Sequence, residues 1–191
     1  MLNLPTLNQE IFEHCIKKLE IKPVIDLFAS RLNYKMKLFI AYQPDPEAGA
    51  INAFTISWKP HLFYALLPFR IKEMVLQNIL EEQSTGVMVV PKWPTQPWWP
   101  HLMRMLYSDT SGPAQIGADV IPILVHPLHQ KLVLLICHLS GDPLKIKSFQ
   151  GKLYPSSCHH GERAHKGNIY LTIRSGNSTV VRDKLIVFQQ L

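Results

Sequence analysis

Charge, glycine and cysteine are all scarce in this chain of 191 residues, and each scarcity excludes something. Charged residues make up 18% against 47% hydrophobic, which excludes a polyelectrolyte-like disordered chain. Nine glycines stand against fifteen prolines, a balance that favours short elements and many loops over long helices. None of those glycines forms a phosphate-cradling loop or a Gly-x-Ser-x-Gly nucleophile turn, so nucleotide-hydrolase and serine-hydrolase chemistry have no motif to rest on. Three cysteines (Cys15, Cys137 and Cys158) with no Cys-x-x-Cys exclude a disulfide framework and fit a reducing compartment. The apolar run Leu132 to Cys137 is far short of the roughly 20 residues that span a bilayer. The opening Met-Leu-Asn-Leu-Pro has no basic and apolar secretory signature. No membrane partner is expected, and the expected location is intracellular, cytoplasmic or nuclear, not secreted.

What the chain does contain is an alternation of strand-like and helix-like segments. Leu7, Ile11, Cys15, Ile16 and Leu19 recur at helical spacing, with Asn8 as cap and Pro23 beyond the end. Strands are expected at Pro23 to Ala29, Lys37 to Tyr42 and His61 to Leu67, with Pro44-Asp-Pro-Glu as a turn. Ile71, Met74, Val75, Ile79 and Leu80 mark a second helix, and Gly86 to Pro91 a buried strand. Pro97, Trp98 and Trp99 open a third helix running to about Tyr107. Such alternation predicts an α/β sandwich on a mostly parallel sheet.

The composition shifts at Ser108 to Pro113. Residues 1–110 carry 11 Lys/Arg against 10 Asp/Glu, a net of +1, whereas residues 111–191 carry 9 against 4, a net of +5, and hold six of the nine histidines. The expected organisation is therefore an α/β domain over 1–110 and a basic, loop-rich linker or extension over 111–191. Within the latter, Val120 to Val125 and Leu132 to Leu139 read as strand or helix alike, Gly141-Asp-Pro and Ser156 to Gly167 as loop, and Val180 to Phe188 as a strand.

In a parallel α/β sheet, ligands sit outside the carboxyl ends of the strands. Asp26 lies near the end of the first strand, where a carboxylate suits the ribose or amino-acid part of a nucleotide-like cofactor; capping of a following helix is the plainer role. Ala29 and Ser30 occupy the positions where glycine is expected in such a site. At another strand end stands Leu66-Leu67-Pro68-Phe69. Enzymes that methylate exocyclic amines use a tetrad there of a small polar residue, two prolines and an aromatic, which hold the amine in line and stack the flipped base. Pro68 and Phe69 suit that role, but Leu66 has no acceptor and Leu67 replaces a proline. Trp98 and Trp99 offer faces for base stacking, or else anchor a helix start against the core. Lys145, Lys147, Lys152 and Arg163 are the candidate phosphate contacts of the basic extension. Cys158, His159, His160 and His165 include adjacent residues that do not converge readily on one tetrahedral ion, so no metal is expected. A two-metal nuclease would need Asp26, Asp45 and Glu47 together, and the last two sit in the Pro-rich turn.

Four motifs follow one another in order: Val24-Ile-Asp-Leu-Phe-Ala-Ser-Arg-x-Asn33, Asn52-Ala-Phe54 with Trp58, Tyr64-Ala-x-x-Pro-Phe69, and Val89-Val-Pro-Lys-Trp-Pro-Thr-Gln-Pro-Trp-Trp99. The series resembles the methyltransferase-like segment of DIRS-type retrotransposon polyproteins, itself similar to Dam-type adenine-N6 methyltransferases, from about Leu4 to Leu106. Further along, His126-Pro-Leu128, Leu139-Ser-Gly141 and His159-His-Gly-Glu-Arg163 resemble the linker towards the tyrosine recombinase of such polyproteins. The resemblance implies a small Rossmann-like methyltransferase sandwich and S-adenosylmethionine as cofactor, met by Asp26, Ala29 and Asn52. It also implies a target base framed by the Leu66-Leu67-Pro68-Phe69 position. Nucleic acid and the reverse transcriptase/RNase H and recombinase segments of a parent polyprotein are the implied partners. The sequence departs from the family at Asn52, where an acid is usual, and at Leu67, where Pro-Pro-Phe is usual. The expectation is thus a module whose methyl transfer is impaired and whose role is nucleic-acid binding or scaffolding, with an active adenine-N6 methyltransferase as the alternative.

Overall fold

A computed structural model describes residues 7–107, 120–124, 133–152, 178–181 and 184–187. Helix α1 (Gln9–Lys18) begins where the Asn8 side chain accepts the Glu10 amide, and Lys17 and Lys18 in its last turn complement the helix dipole. The strands are β1 (Ile25–Ala29), β2 (Leu38–Ala41), β3 (Ala50–Ile51), β4 (Leu62–Leu66), β5 (Thr85–Pro91), β6 (Val120–Leu124) and β7 (Val133–Ser140). Helices α2 (Lys72–Glu82) and α3 (Trp99–Arg104) flank β5 in sequence, and α4 (Pro143–Lys152) follows β7. A separate hairpin joins β8 (Ser178–Val181) to β9 (Lys184–Val187).

Seven strands form one sheet in the order β3-β2-β1-β4-β5-β7-β6. The first five pair in parallel, β7 runs antiparallel to β5, and β6 antiparallel to β7. This is a Rossmann-like α/β sandwich whose strand order reverses between β1 and β4, and in such sheets ligands bind outside the carboxyl ends at that reversal. The strands read as continuous apolar runs because both faces are covered: β5 is buried from Gly86 to Pro91.

The two faces are dressed unequally. One carries α2, α3 and α4, whose Val75, Ile79, Leu102 and Phe149 join Trp58, Phe63, Leu67 and Met88 in the main core. The other carries α1, with Phe12 and Cys15 packed on Tyr64, Val87 and Ile136. Eight residues link β1 to β2, and eight link β2 to β3, without an α-helix in either crossover.

The sheet runs past the composition shift near residue 110. β7 pairs with β5 over seven residues from Thr85–Ser140 to Pro91–Leu134, and Leu135, Cys137 and Leu139 enter the main core. A basic, loop-rich extension over 111–191 therefore does not describe Val133–Lys152, because β7 covers an apolar edge that β5 would otherwise leave bare. Gly141 and Asp142 form the expected loop, Pro143 instead opens α4, and any Cβ on Gly141 would overlap the Ile79 carbonyl oxygen. The amphipathic face of α2 is also rotated from expectation: Met74 and Leu80 are exposed, while Lys72, Val75, Leu76 and Ile79 are buried.

Candidate functional site

Of the residues singled out for cofactor and base, Ala29 ends β1 and Leu66 ends β4, whereas Asp26, expected near the end of the first strand, lies at its beginning. Asp26 is the second residue of β1 and stands in register with Phe39 on one side and Tyr64 on the other. Its side chain is 2% exposed, and Oδ2 accepts the Lys35 amide at 3.0 Å. Burial pushes its carboxyl up to about 6, against the opposing pull of the Lys35 and Phe28 amides and the Lys35 charge. Being in register with Tyr64, it shares the face on which Phe12 of α1 packs edge-on against the Tyr64 ring, with centroids 4.8 Å apart. The carboxylate thus lies within the packed layer under α1 and is not presented to the crevice.

Ala29 is buried with Phe39 and Ala41. After it the chain makes a turn: the Asn33 carbonyl oxygen Oδ1 accepts the Ser30 amide at 2.8 Å and the Ser30 hydroxyl at 2.9 Å. The Ser30 carbonyl in turn accepts the Asn33 and Tyr34 amides. No helix follows β1, so Asp26 has none to cap, and the helix N-terminus that would receive an anionic cofactor group is not there.

Asn52 follows β3 in the left-handed region at φ 61°. Its Oδ1 accepts the Phe54 amide at 3.2 Å and its own amide donates to the Ala41 carbonyl at 2.7 Å, capping a 3₁₀ turn over Ala53–Thr55. The Ala53 carbonyl then accepts the indole N–H of the fully buried Trp58 at 2.8 Å. The side chain where the family resemblance expects an acid is spent on this local structure.

At the end of β4, Leu66 joins the core under α1 and Leu67, 1% exposed, joins the main core on the opposite face. Pro68 leads into a 3₁₀ turn, Phe69–Ile71, with no side-chain cap. Neither leucine offers an acceptor to an amine. The side chain of Phe69, and all of Arg163, lie outside the described residues. Trp98 and Trp99 are 7% and 6% exposed and belong to the main core, so they anchor the start of α3 and present no open face for a base.

Lys145, Lys147 and Lys152 are exposed on α4, a helix with three lysines and no acid. Two open clefts flank it. One lies between α2, α3 and α4 and takes in Arg104 and Lys147; the other lies at the amino ends of β4 and β5, with Lys22, Lys59, Lys145 and His138. Neither cleft includes Asp26, Ala29, Asn52 or the Leu66–Pro68 segment.

One group escaped the sequence reading, and another stood in its motif series without a role. Lys72 is 1% exposed in the first turn of α2, its amine set 5.8 Å from the Trp98 ring centroid, and burial pushes it down to about 8. The signal was present, since 72, 75, 76 and 79 share one helical face. Tyr64 is the other: its hydroxyl is buried without a hydrogen bond and is pushed up first by burial and then by the Asp26 and Cys15 charges.

Among the described residues no three His, Cys, Asp or Glu side chains are grouped to hold a metal, and no helix is long and apolar enough to cross a membrane. The cysteine and histidines from Cys158 to His165 lie outside them. No protein-family model, no curated protein and no solved structure matches this chain.

Proposed function

We propose that this chain is a methyltransferase-like module of retroelement origin that has given up methyl transfer and acts by binding nucleic acid. The observation that carries the reading is the sheet order, with the reversed β7 inserted between β5 and β6. The family resemblance implies a small Rossmann-like sandwich on a mostly parallel sheet, which this order supports, and the motif series from Val24 to Trp99 falls on β1, the turn after β3, β4 and β5 in turn. Support for loss of chemistry comes from the same strand ends. S-adenosylmethionine does not fit the residues present: the Asp26 carboxyl is buried beneath α1, Asn52 is committed to a cap, and the turn after β1 has neither glycine nor a following helix. A missing oriented polar partner for the target amine costs about 2–4 kcal/mol of transition-state stabilisation, and Leu66 supplies none. Binding is supported by the three exposed lysines of α4, a helix that itself carries no acid, whose exposure suits phosphodiester contacts.

The test is calorimetric titration of S-adenosylmethionine into the full chain, beside DNA-binding isotherms at two salt concentrations. The expected result is no cofactor heat, no methyl incorporation into DNA, and DNA affinity that falls with salt and with Lys145→Glu plus Lys152→Glu. Micromolar cofactor binding that disappears in Asp26→Ala would return the chain to the active adenine-N6 methyltransferases. DNA affinity indifferent to both salt and those lysines would remove the binding role assigned to α4.

A further inference from the structure

We infer that the cleft between α2, α3 and α4 is a docking site for an acidic amphipathic segment of a partner protein. The site goes beyond the nucleic-acid reading and does not depend on it. Its floor is apolar: Leu80, 47% exposed on α2, stands with Met105, Pro143 and Ile146. Its charged side chains are of one sign. Arg104 from the last turn of α3 and Lys147 from α4 line it, with His101 between them and Glu73, and no described lining residue is acidic. The walls are fixed with respect to each other, because Gln150 Nε2 donates to the Arg104 carbonyl at 3.2 Å. An apolar floor ringed by cations matches a helix or strand with leucine-like residues on one face and carboxylates beside them. It suits nucleic acid less well, since among the described residues no Phe, Tyr or Trp ring lines it for base stacking. The chain's own residues 111–191 carry a net charge of +5, the wrong sign for this rim.

Gly151 is the second observation. It lies in the cleft wall near the end of α4, and a Cβ built on it meets nothing within 4 Å. Gly86 and Gly141, by contrast, are pressed against the Phe63 ring and the Ile79 backbone, where no side chain fits. A glycine in a helix costs stability relative to alanine. Among the described residues nothing packs on the Gly151 position to compensate for it.

The experiment uses the full chain and a fluorescent synthetic peptide, an amphipathic helix with leucines at every third and fourth position and glutamates flanking them. A lysine-flanked version of the peptide and a single-stranded DNA oligonucleotide serve as competitors. Saturable binding of the acidic peptide alone is expected, weakened about tenfold or more by Arg104→Glu with Lys147→Glu. Gly151→Trp, which adds bulk at the cleft wall, is expected to block the peptide while leaving the unfolding temperature and DNA affinity unchanged. Lys145→Glu plus Lys152→Glu lowers DNA binding in the nucleic-acid reading but is expected to spare the peptide, so the two readings fail separately. The inference is overturned if the acidic peptide shows no saturable binding, or binds wild type and Gly151→Trp alike. Displacement of the peptide by DNA, with the DNA itself lost on Gly151→Trp, would assign the cleft to nucleic acid instead.

Discussion

Asp26 on β1 and Tyr64 on β4 stand in register on neighbouring parallel strands, and each keeps a buried oxygen that makes no hydrogen bond. A buried polar group without its partner costs on the order of 1–3 kcal/mol, more if charged, so this pair is a stored instability in an otherwise apolar layer. The native Asp26 carboxyl holds its proton up to about pH 6, above its ordinary value of 3.8. Its favourable contribution is therefore complete below about pH 4 and is lost as the pH rises to about 6, where the native state must ionise a desolvated group. Asp26→Asn retains an acceptor for the Lys35 amide and removes the charge. It is expected to be more stable than wild type near neutral pH by up to about 3 kcal/mol, and equal to it at about pH 4. Urea unfolding at the two pH values measures this, and a loss of stability at neutral pH would contradict the account.

Lys72 carries the opposite linkage. Its amine is pushed down to about 8 by burial, so its contribution to stability is complete above the ordinary value of 10.5 and is lost as the pH falls through about 8. At neutral pH the ammonium is held in the first turn of α2, where the helix dipole also disfavours a cation. Lys72→Met keeps the packing against Trp98 and is expected to gain about 1–3 kcal/mol at neutral pH. Thermal melts from about pH 7 to 10 should rise for wild type and stay flat for the variant.

Rebuilding the family tetrad should cost stability without restoring chemistry. Leu66 and Leu67 bury their side chains in cores on opposite faces of the sheet. Leu66→Asn with Leu67→Pro is expected to destabilise by about 2–5 kcal/mol, through lost apolar burial and a desolvated amide. Methyl transfer from labelled S-adenosylmethionine to DNA is expected to stay at background, because the cofactor crevice is unchanged. A gain of activity would show that the two leucines had silenced the site.

Gly141, just before α4, and Gly151, within its last turn, make a paired comparison. Gly141→Ala drives a methyl group into the Ile79 carbonyl and is expected to cost about 2–4 kcal/mol. Gly151→Ala adds a methyl group in open space within a helix and is expected to be neutral or to gain about 0.5 kcal/mol. Chemical denaturation of both variants checks the contrast; equal effects would mean that α4 does not dock as described.

By itself the sequence determined the elements whose pattern is local. The helical spacing from Leu7 to Leu19, the strands ending at Ala29 and Leu66, and the apolar run from Gly86 to Pro91 were all legible, because a period of 3.6 or a buried run can be read within one segment. It also predicted the α/β class with its mostly parallel sheet, and offered the helix-anchor role that Trp98 and Trp99 take. Tertiary structure decided everything that depends on which segments meet. Leu132 to Leu139 reads as helix or strand until β5 offers it seven pairing residues, and Pro143 and Gly151 concealed α4. Whether Asp26 faces solvent or a packed layer depends on α1 lying over Tyr64, a contact not written near Asp26. The same holds for the opposed burial of Leu66 and Leu67 and for the buried Lys72. A side chain's surroundings are set by contacts between segments distant in sequence, and those contacts exist only once the sheet has closed.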